Sequence, residues 1–425
     1  MTKTKREDAG NGGDAIAVDG ARLRADLAAL AAIGRRDGGG CSRPALSEAD
    51  MRAREWLSDR IRDAGLELHL DPAGNIHGRL GWDGRRASVM TGSHIDTVPD
   101  GGPLDGALGV VAGLECLRRL KEAGIEPARP LEVVAFSDEE GRFGGMLGSS
   151  AIAGTLAAET VRAARDPGGV PLTQALSDRG FDSERVLDAR RSPESVHAFV
   201  ELHIEQGPVL EHRGARVGAV DGIVGLFKWK LWLYGEANHA GTTPMALRKD
   251  ALKGAARVCL DIDDVLADAG GPDSVATVGF LRLSPGAPNA VPGLAELTIE
   301  ARDADAGILD ALAEALDRRV KAIAESRGLT LEIERSSRIE PVACDPRVRD
   351  AVCAAAAARG EVAHRMPSGA SHDTQMIASI APVGMIFVPS RGGRSHTPEE
   401  HTDGEDIELG ANVLLSTLLR LTGDA

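Results

Sequence analysis

Four short runs of the chain are apolar almost without interruption: "ASVMTGS", "LEVVAFS", "HAFVELHI" and "PVGMIFVPS". Runs of this length, rich in Val, Ile and Phe and bounded by Gly, Pro or Ser, predict buried strands of a sheet covered on both faces. Between the first two lies "ALGVVAGLECLRRLKEAG", a helix pattern closed by Gly124. In "ARLRADLAALAAIG" the residues Leu23, Leu27 and Leu30 recur at helical spacing. "SEADMRAREWLSDRIRDAG" begins with Ser47 three residues before Asp50, a capping pattern, and stops at Gly65. "LELHLD" and "NIHGRL" have the length of short strands, and "EDIELGANVLLSTLLRLTG" predicts a closing helix. Strands alternating with helices in this way predict a layered α/β domain.

The middle of the chain has another rhythm. "FKWKLWLYGEA" predicts a strand, "MALRKDALKGAARVCLDIDDVLADAG" a long helix, and "SVATVGFLRL" and "AELTIEARD" two strands. "GILDALAEALDRRVKAIAESRG" and "LTLEIERS" add a second amphipathic helix and a last strand. The order βαββαβ is the ferredoxin-like, split-βαβ pattern. The expected organisation is therefore a flexible tail over 1–20, an α/β domain over 21–225 and 337–425, and an inserted βαββαβ domain over 226–336.

At 425 residues the chain exceeds the size at which one core keeps growing, which agrees with two domains. A net charge of −15 and only 3% aromatic residues argue against nucleic acid or an anionic membrane surface as the partner. Cys41, Cys116, Cys259, Cys344 and Cys353 are scattered, odd in number and without a CxxC pair, so reduced thiols in a cytoplasm are expected. The opening "MTKTKREDAGNGGDAIAVDG" has no apolar core of a signal peptide, and no stretch has the length of a membrane span.

The polar residues at the carboxyl ends of the buried runs change this picture. "ASVMTGS" leads into His94 and Asp96, "LEVVAFS" into Asp138, Glu139 and Glu140, "HAFVEL" into His203, and "PVGMIFVPS" into "RGGRSH", ending at His396. In open α/β sheets ligands gather beyond the carboxyl ends of the strands. Any one of these residues alone is an ordinary polar strand end. Together, histidines and carboxylates at four strand ends suit a pair of divalent cations with a position left open for water. Asp96, two residues after His94, is placed to accept the other imidazole N–H. Asp105, beyond the "PDGGPL" turn, has two oxygens with which to bridge two ions. Glu139 and Glu140, as neighbours in an extended segment, would point apart, one to metal and one to water, where a glutamate can serve as general base.

The segments "GSHIDTVPDGGPLDGALGV", "SDEEGRFGGMLGS", "ELHIEQGPVLE", "NHAGTTPM", "PGAPNAVPG", "EARD", "SGASHD" and "SHTPEE" occur in this order. The set resembles the hydantoinase/carbamoylase family of binuclear metal amidohydrolases, which includes N-carbamoyl-L-amino-acid hydrolases, allantoate amidohydrolases and β-ureidopropionases. These are relatives of the zinc aminoacylases and carboxypeptidase G. The resemblance implies a zinc-exopeptidase-like α/β/α catalytic domain and a lid domain through which a homodimer forms. It implies two divalent ions per subunit sharing Asp105, one also on His94 and His203, the other on Glu140 and His396. Zinc suits such ligands, and manganese, cobalt or nickel can occupy them. Glu139 is then the general base, with Asp96 supporting the centre. His239 is expected to reach the partner subunit's site and polarise the scissile carbonyl. Gln206, Asn289, Arg302 and Gly369 match substrate-holding positions, with Arg302 taking a carboxylate through paired hydrogen bonds.

Two departures from the family pattern stand out. Gly141 leads straight to Arg142 and Phe143, where many relatives carry an additional residue. Ser371 stands where a glycine is common, which bears on the contacts of Gly369 and His372. For Arg302 the competing expectation is an ion pair with Asp303 or Asp305, and for His239 a plain hairpin residue. The expected reaction is hydrolysis of the linear C–N amide bond of a small N-carbamoyl-L-amino acid or ureido compound. Allantoate amidohydrolase and β-ureidopropionase are the near alternatives, and an aminoacylase or exopeptidase with the same metals a further one. Histidine at position 203 favours the amidohydrolase branch, since many peptidase relatives place a carboxylate there. A metal-binding protein without activity would have lost a ligand or the base, and none is missing. A thiol hydrolase lacks any cysteine in a motif.

Overall fold

The computed structural model describes residues 16–423. By its contacts the chain separates into two compact units. One takes in the described residues up to Asp221 and from Cys344 onward, and the other is Gly222–Ala343. The second is wider than 226–336 at both ends, and its first and last long strands are Gly225–Tyr234 and Thr330–Ile339.

The large unit is built on a mixed sheet. Its strand order is Glu67–Leu70, Ile76–Leu80, Leu131–Phe136, Ser88–His94, Val196–Ile204, Val383–Val388 and Gly218–Ile223, with His364–Ser368 paired to the last of these. The four unbroken apolar runs form its centre, and neighbours among them pair in parallel. Register places His94 opposite Phe136, and His203 opposite Phe387, so all four strands finish at one edge. The reason for their composition is now plain. Every residue of Ser88–His94, Leu131–Phe136 and Val383–Val388 is buried, as a strand covered on both faces must be.

Alternate side chains of these strands, among them Val89, Val133, Val200 and Ile386, share one core with the helices Gly20–Ala32, Ala107–Glu122, Pro346–Ala358 and Gly404–Gly423. Leu23, Leu27 and Leu30 are the buried stripe of the first helix, each contributing about 1.5–3 kcal/mol by leaving water. The helix Glu48–Asp63 is capped as its sequence implies, the Ser47 side chain accepting from the Asp50 N–H. One expectation is corrected. Residues 1–15 lie outside the described part, but the rest of the assigned tail, Ile16–Gly20, is packed: Ile16 and Val18 are buried, and the Val18 N–H donates to Asn412 Oδ1 at 3.0 Å. Their apolar side chains, two residues apart, dock on the core while Asp19 caps the helix. Among the described residues no helix is long and apolar enough to cross a membrane.

The smaller unit has a four-stranded antiparallel sheet in the order Thr330–Ile339, Gly225–Tyr234, Leu294–Asp303, Val275–Ser284. Helices Ala251–Ala269 and Ala306–Ser326 pack with Phe227, Trp229, Leu231 and Leu233, while Lys228 and Lys230 between them are exposed. The first helix starts at Ala251 rather than at "MALRK", because Asp250 caps it, accepting from Leu252 and Lys253. Val275–Ser284 is an edge strand, and Val275, Phe280 and Leu281 on it are exposed.

Candidate metal centre

Each central strand delivers a ligand candidate to the same place. His94 ends its strand, His203 lies one residue from the end of Val196–Ile204, and Glu139, Glu140 and His396 come after Phe136 and Val388. Asp105 sits in the turn before the helix Ala107–Glu122. Single ligand atoms of His94, Asp105 and His203 lie within 4.8 Å of one another, as do those of Asp105, Glu140 and His396. Asp105 belongs to both groups and divides its oxygens between them. Its Oδ1 is 3.1 Å from His203 Nε2 and 3.7 Å from His94 Nε2, while Oδ2 is 3.1 Å from His396 Nε2. Glu140 Oε2 is 3.5 Å from the same His396 nitrogen.

The glycines of the "PDGGPLDG" turn are explained by what lies against them. A Cβ on Gly106 would fall 2.4 Å from the His94 ring, and one on Gly102 2.1 Å from the Glu400 carboxyl carbon. Both contacts are far inside van der Waals distance, so only glycine lets the turn approach. Strain also gathers here. Asp138, Gln206 and His396 have φ of 51°, 60° and 56°, a conformation that costs a non-glycine residue on the order of 1–3 kcal/mol.

Two expectations about orientation are corrected. His94 Nδ1 is held by the main-chain carbonyl of Asp96, at 3.0 Å, and not by its carboxylate, which is 3.8 Å away. The Asp96 carboxylate instead accepts the backbone N–H of Glu139 at 3.4 Å and of Glu140 at 3.2 Å. The glutamates do not diverge from an extended strand either. The chain bends at Asp138, and one oxygen of each glutamate lies within 4.8 Å of the other and of a His94 nitrogen. Asp96 thus steadies the bend that turns both carboxylates into the centre.

The charges of these groups do not balance among themselves. Burial pushes the His94 imidazole down to about 4, so it is neutral, with its Nδ1 proton on the Asp96 carbonyl. The bare Nε2 then faces Asp105 Oδ1 and, at 3.5 Å, Glu139 Oε2: one lone pair against two acceptors. Burial, reinforced by Asp373 and Glu140, raises Glu139 well above the usual carboxylate range, and burial raises Glu140 to about 7. Burial would lower His203, but its hydrogen bond to Asp105 carries it up to about 9, and the same partner takes His396 to about 9. Protons therefore stand where cations would neutralise the carboxylates. Glu140 Oε1 is buried without a hydrogen-bond partner. Imidazole and carboxylate donors with surplus buried acceptors fit divalent cations, whose binding would release those protons.

The profile of peptidase family M20/M25/M40 matches residues 90–420. The chain belongs to this family. An N-carbamoyl-L-amino acid amidohydrolase from Geobacillus stearothermophilus is 41% identical over 408 residues, which cover 95% of this chain and 99% of that one. An allantoate amidohydrolase from Bacillus subtilis is 36% identical, covering 92% and 95%. Among solved structures, a hydantoinase/carbamoylase family amidase from Burkholderia multivorans superposes with a TM-score of 0.89 at 37% identity, covering 96% and 98%. These relatives put this M20-family chain with the hydantoinase/carbamoylase amidases.

The substrate candidates fall in two places. In the large unit, Gln206 Nε2 donates to Asp105 Oδ2 at 2.7 Å, and its Oε1 is buried without a partner. Gly369 is exposed, and His372 nearby is buried with Nε2 2.8 Å from Ser368 Oγ and its ring 4.6 Å from that of His203. In the small unit, His239 and Asn289 are exposed neighbours, the Asn289 carbonyl accepting from the Ala240 N–H. Arg302 pairs with Glu300 through Nε at 2.8 Å and Nη2 at 2.7 Å. Alternate strand residues share a face, so Glu300 lies beside it and Asp303 does not. Arg302 is opposite Leu226 at one end of the sheet, whereas His239 lies past Tyr234, which is opposite Leu294, at the other. Eight residues of strand separate these ends, about 26 Å at ~3.3 Å per residue. One residue that sequence reasoning does not single out also meets the centre: Glu400, within "SHTPEE", accepts from Leu104, Asp105 and Ser395.

Proposed function

We propose that the protein hydrolyses the linear C–N amide bond of N-carbamoyl-L-amino acids, using two divalent cations shared by Asp105. The division of the Asp105 oxygens between His94 with His203 and Glu140 with His396 is the observation that carries this reading. The cations, zinc first among the candidates, would acidify a water and polarise the ureido carbonyl. Glu139, its Oε2 3.5 Å from His94 Nε2, would be freed of its proton once cations offset the burial that raises its pKa, and then takes a proton from the attacking water and returns it to the departing nitrogen, which leaves poorly without it. The unpartnered Gln206 Oε1 is placed to accept a ureido N–H.

His239, Asn289 and Arg302 complete the reading as a set from two copies of the chain. A small carboxylate substrate cannot span about 26 Å, so one copy's Arg302 and the other copy's His239 and Asn289 would serve each site. The exposed Val275, Phe280 and Leu281 on an edge strand supply the kind of surface through which such a homodimer forms. Gly369, on the rim of the large unit, would line the substrate. Five free cysteines agree with work in a reducing cytoplasm.

A cavity of about 230 Å³ favours amino-acid derivatives over the alternatives. Pro44, Ala45, Val98, Pro99 and Pro167 line it, and Glu140 forms part of its wall. Its one cation, Arg142, is already engaged by Asp166 at 3.0 Å and by the Ala45 carbonyl. Asp96, Thr97 and Glu140 also line it, and with mostly apolar walls and its cation engaged it suits an apolar side chain better than the second ureido group of allantoate. Burying a Val- to Phe-sized side chain is worth about 1.5–3 kcal/mol, roughly 10- to 100-fold in kcat/KM.

A panel of carbamoyl amino acids, allantoate, β-ureidopropionate, acyl amino acids and dipeptides on metal-reconstituted protein tests this. Ammonia and free amine should appear in equal amounts from N-carbamoyl-L-amino acids, fastest with apolar side chains. Activity confined to dipeptides or acyl amino acids would refute it.

A further inference from the structure

Glu400 is buried beside the centre, yet among the described residues it belongs to none of the groups whose ligand atoms converge. Its Oε1 accepts two consecutive backbone N–H groups, from Leu104 at 2.7 Å and from Asp105 at 3.0 Å. Its Oε2 lies 2.8 Å from the Ser395 hydroxyl, which is also 2.7 Å from Asp105 Oδ2. The chain turns back on itself between them, the Glu400 N–H donating to the Thr397 carbonyl. Gly102 leaves the space in which this carboxylate lies.

We propose that Glu400 is a positioning residue that sets the bridging carboxylate and the His396 loop in register for a cation pair. The inference rests on the metal reading above. Two N–H donors on one oxygen fix the peptide planes on both sides of residue 104, and with them the direction in which Asp105 projects its side chain. Through Ser395 the same carboxylate grips the residue before His396, whose imidazole is half exposed and whose φ of 56° is strained. A strained ligand on an exposed loop keeps its place only where surrounding contacts over-determine it. The Ser395 hydroxyl has one proton for two carboxylate oxygens. A cation on Asp105 Oδ2 would leave that proton to Glu400, so loading the centre tightens the link.

The test uses the full chain and compares wild type, Glu400→Ala and Glu400→Gln. Thermal melts establish folding, and the affinity for zinc, and for cobalt by its visible absorption, is measured in competition with a chelator. Wild type should bind two ions per subunit. Glu400→Ala should fold and hold the weaker ion about 10- to 100-fold less tightly, the usual effect of removing a group that orients a ligand. Glu400→Gln, which still offers Oε1 to both N–H groups, should stay within a few-fold of wild type. Unchanged affinity in folded Glu400→Ala, or equal loss in both variants, overturns the inference. If Glu400→Ala does not fold, Ser395→Ala carries the test: weaker binding of one ion supports the link, and wild-type affinity for both overturns it. Wild type that binds no metal would instead sink the metal reading itself.

Discussion

Glu139→Gln is expected to lower kcat on an N-carbamoyl-L-amino acid by about 10²- to 10⁴-fold while leaving metal content and melting temperature as they are. The substitution keeps shape and removes the proton acceptor. The backbone at Glu139 is held by Asp96 and not by its own side chain, so the bend should survive. The neighbouring Glu140 cannot replace it, because Glu140 Oε2 faces His396. Ammonia release measured beside metal analysis separates the outcomes. Loss of turnover with both ions retained supports a base, and normal turnover with both ions retained removes Glu139 from that role.

Asp105→Ala should have a larger effect of another kind. Asp105 is common to both ligand groups, so its loss is expected to leave neither cation site filled at concentrations that saturate wild type. Without the cations nothing would acidify the attacking water, and activity should fall by at least about 10⁴-fold. Of the two groups that share Asp105, His94→Ala and Glu140→Gln each touch one, and each should cost one ion. Metal content of the three purified variants reads this directly. Equal loss of a single ion in all three would show that Asp105 does not bridge.

Much of this centre is legible in the sequence because burial on both faces leaves a distinctive trace. The central strands read as unbroken apolar runs, so the polar residues just beyond them, His94, Glu139, Glu140, His203 and His396, are conspicuous. Their meeting depends on the parallel pairing of strands far apart in the chain, which the alternation of strand and helix already implies. The features that are not legible depend on the backbone. Glu400 accepts from main-chain N–H groups, which every residue but proline carries, so nothing in "SHTPEE" marks it out. The task of Asp96 is hidden because its proximity to His94 in sequence is satisfied by its carbonyl, freeing its carboxylate for the Glu139–Glu140 bend. The bend depends on φ at Asp138, a conformation that composition does not reveal. Gly218–Ile223 is hard to see as a strand because "GAVDGI" carries two glycines and an aspartate. The short helices Leu147–Ala153 and Leu172–Asp178 carry only a small satellite core, too few apolar positions to establish a period.

The most direct measurement is an anomalous-scattering map of crystals grown with zinc. Two peaks should flank Asp105, one about 2.0–2.2 Å from His94 and His203 nitrogens and the other equally close to Glu140 and His396. A single peak away from Asp105, or none in protein that hydrolyses its substrate at full rate, would contradict the account.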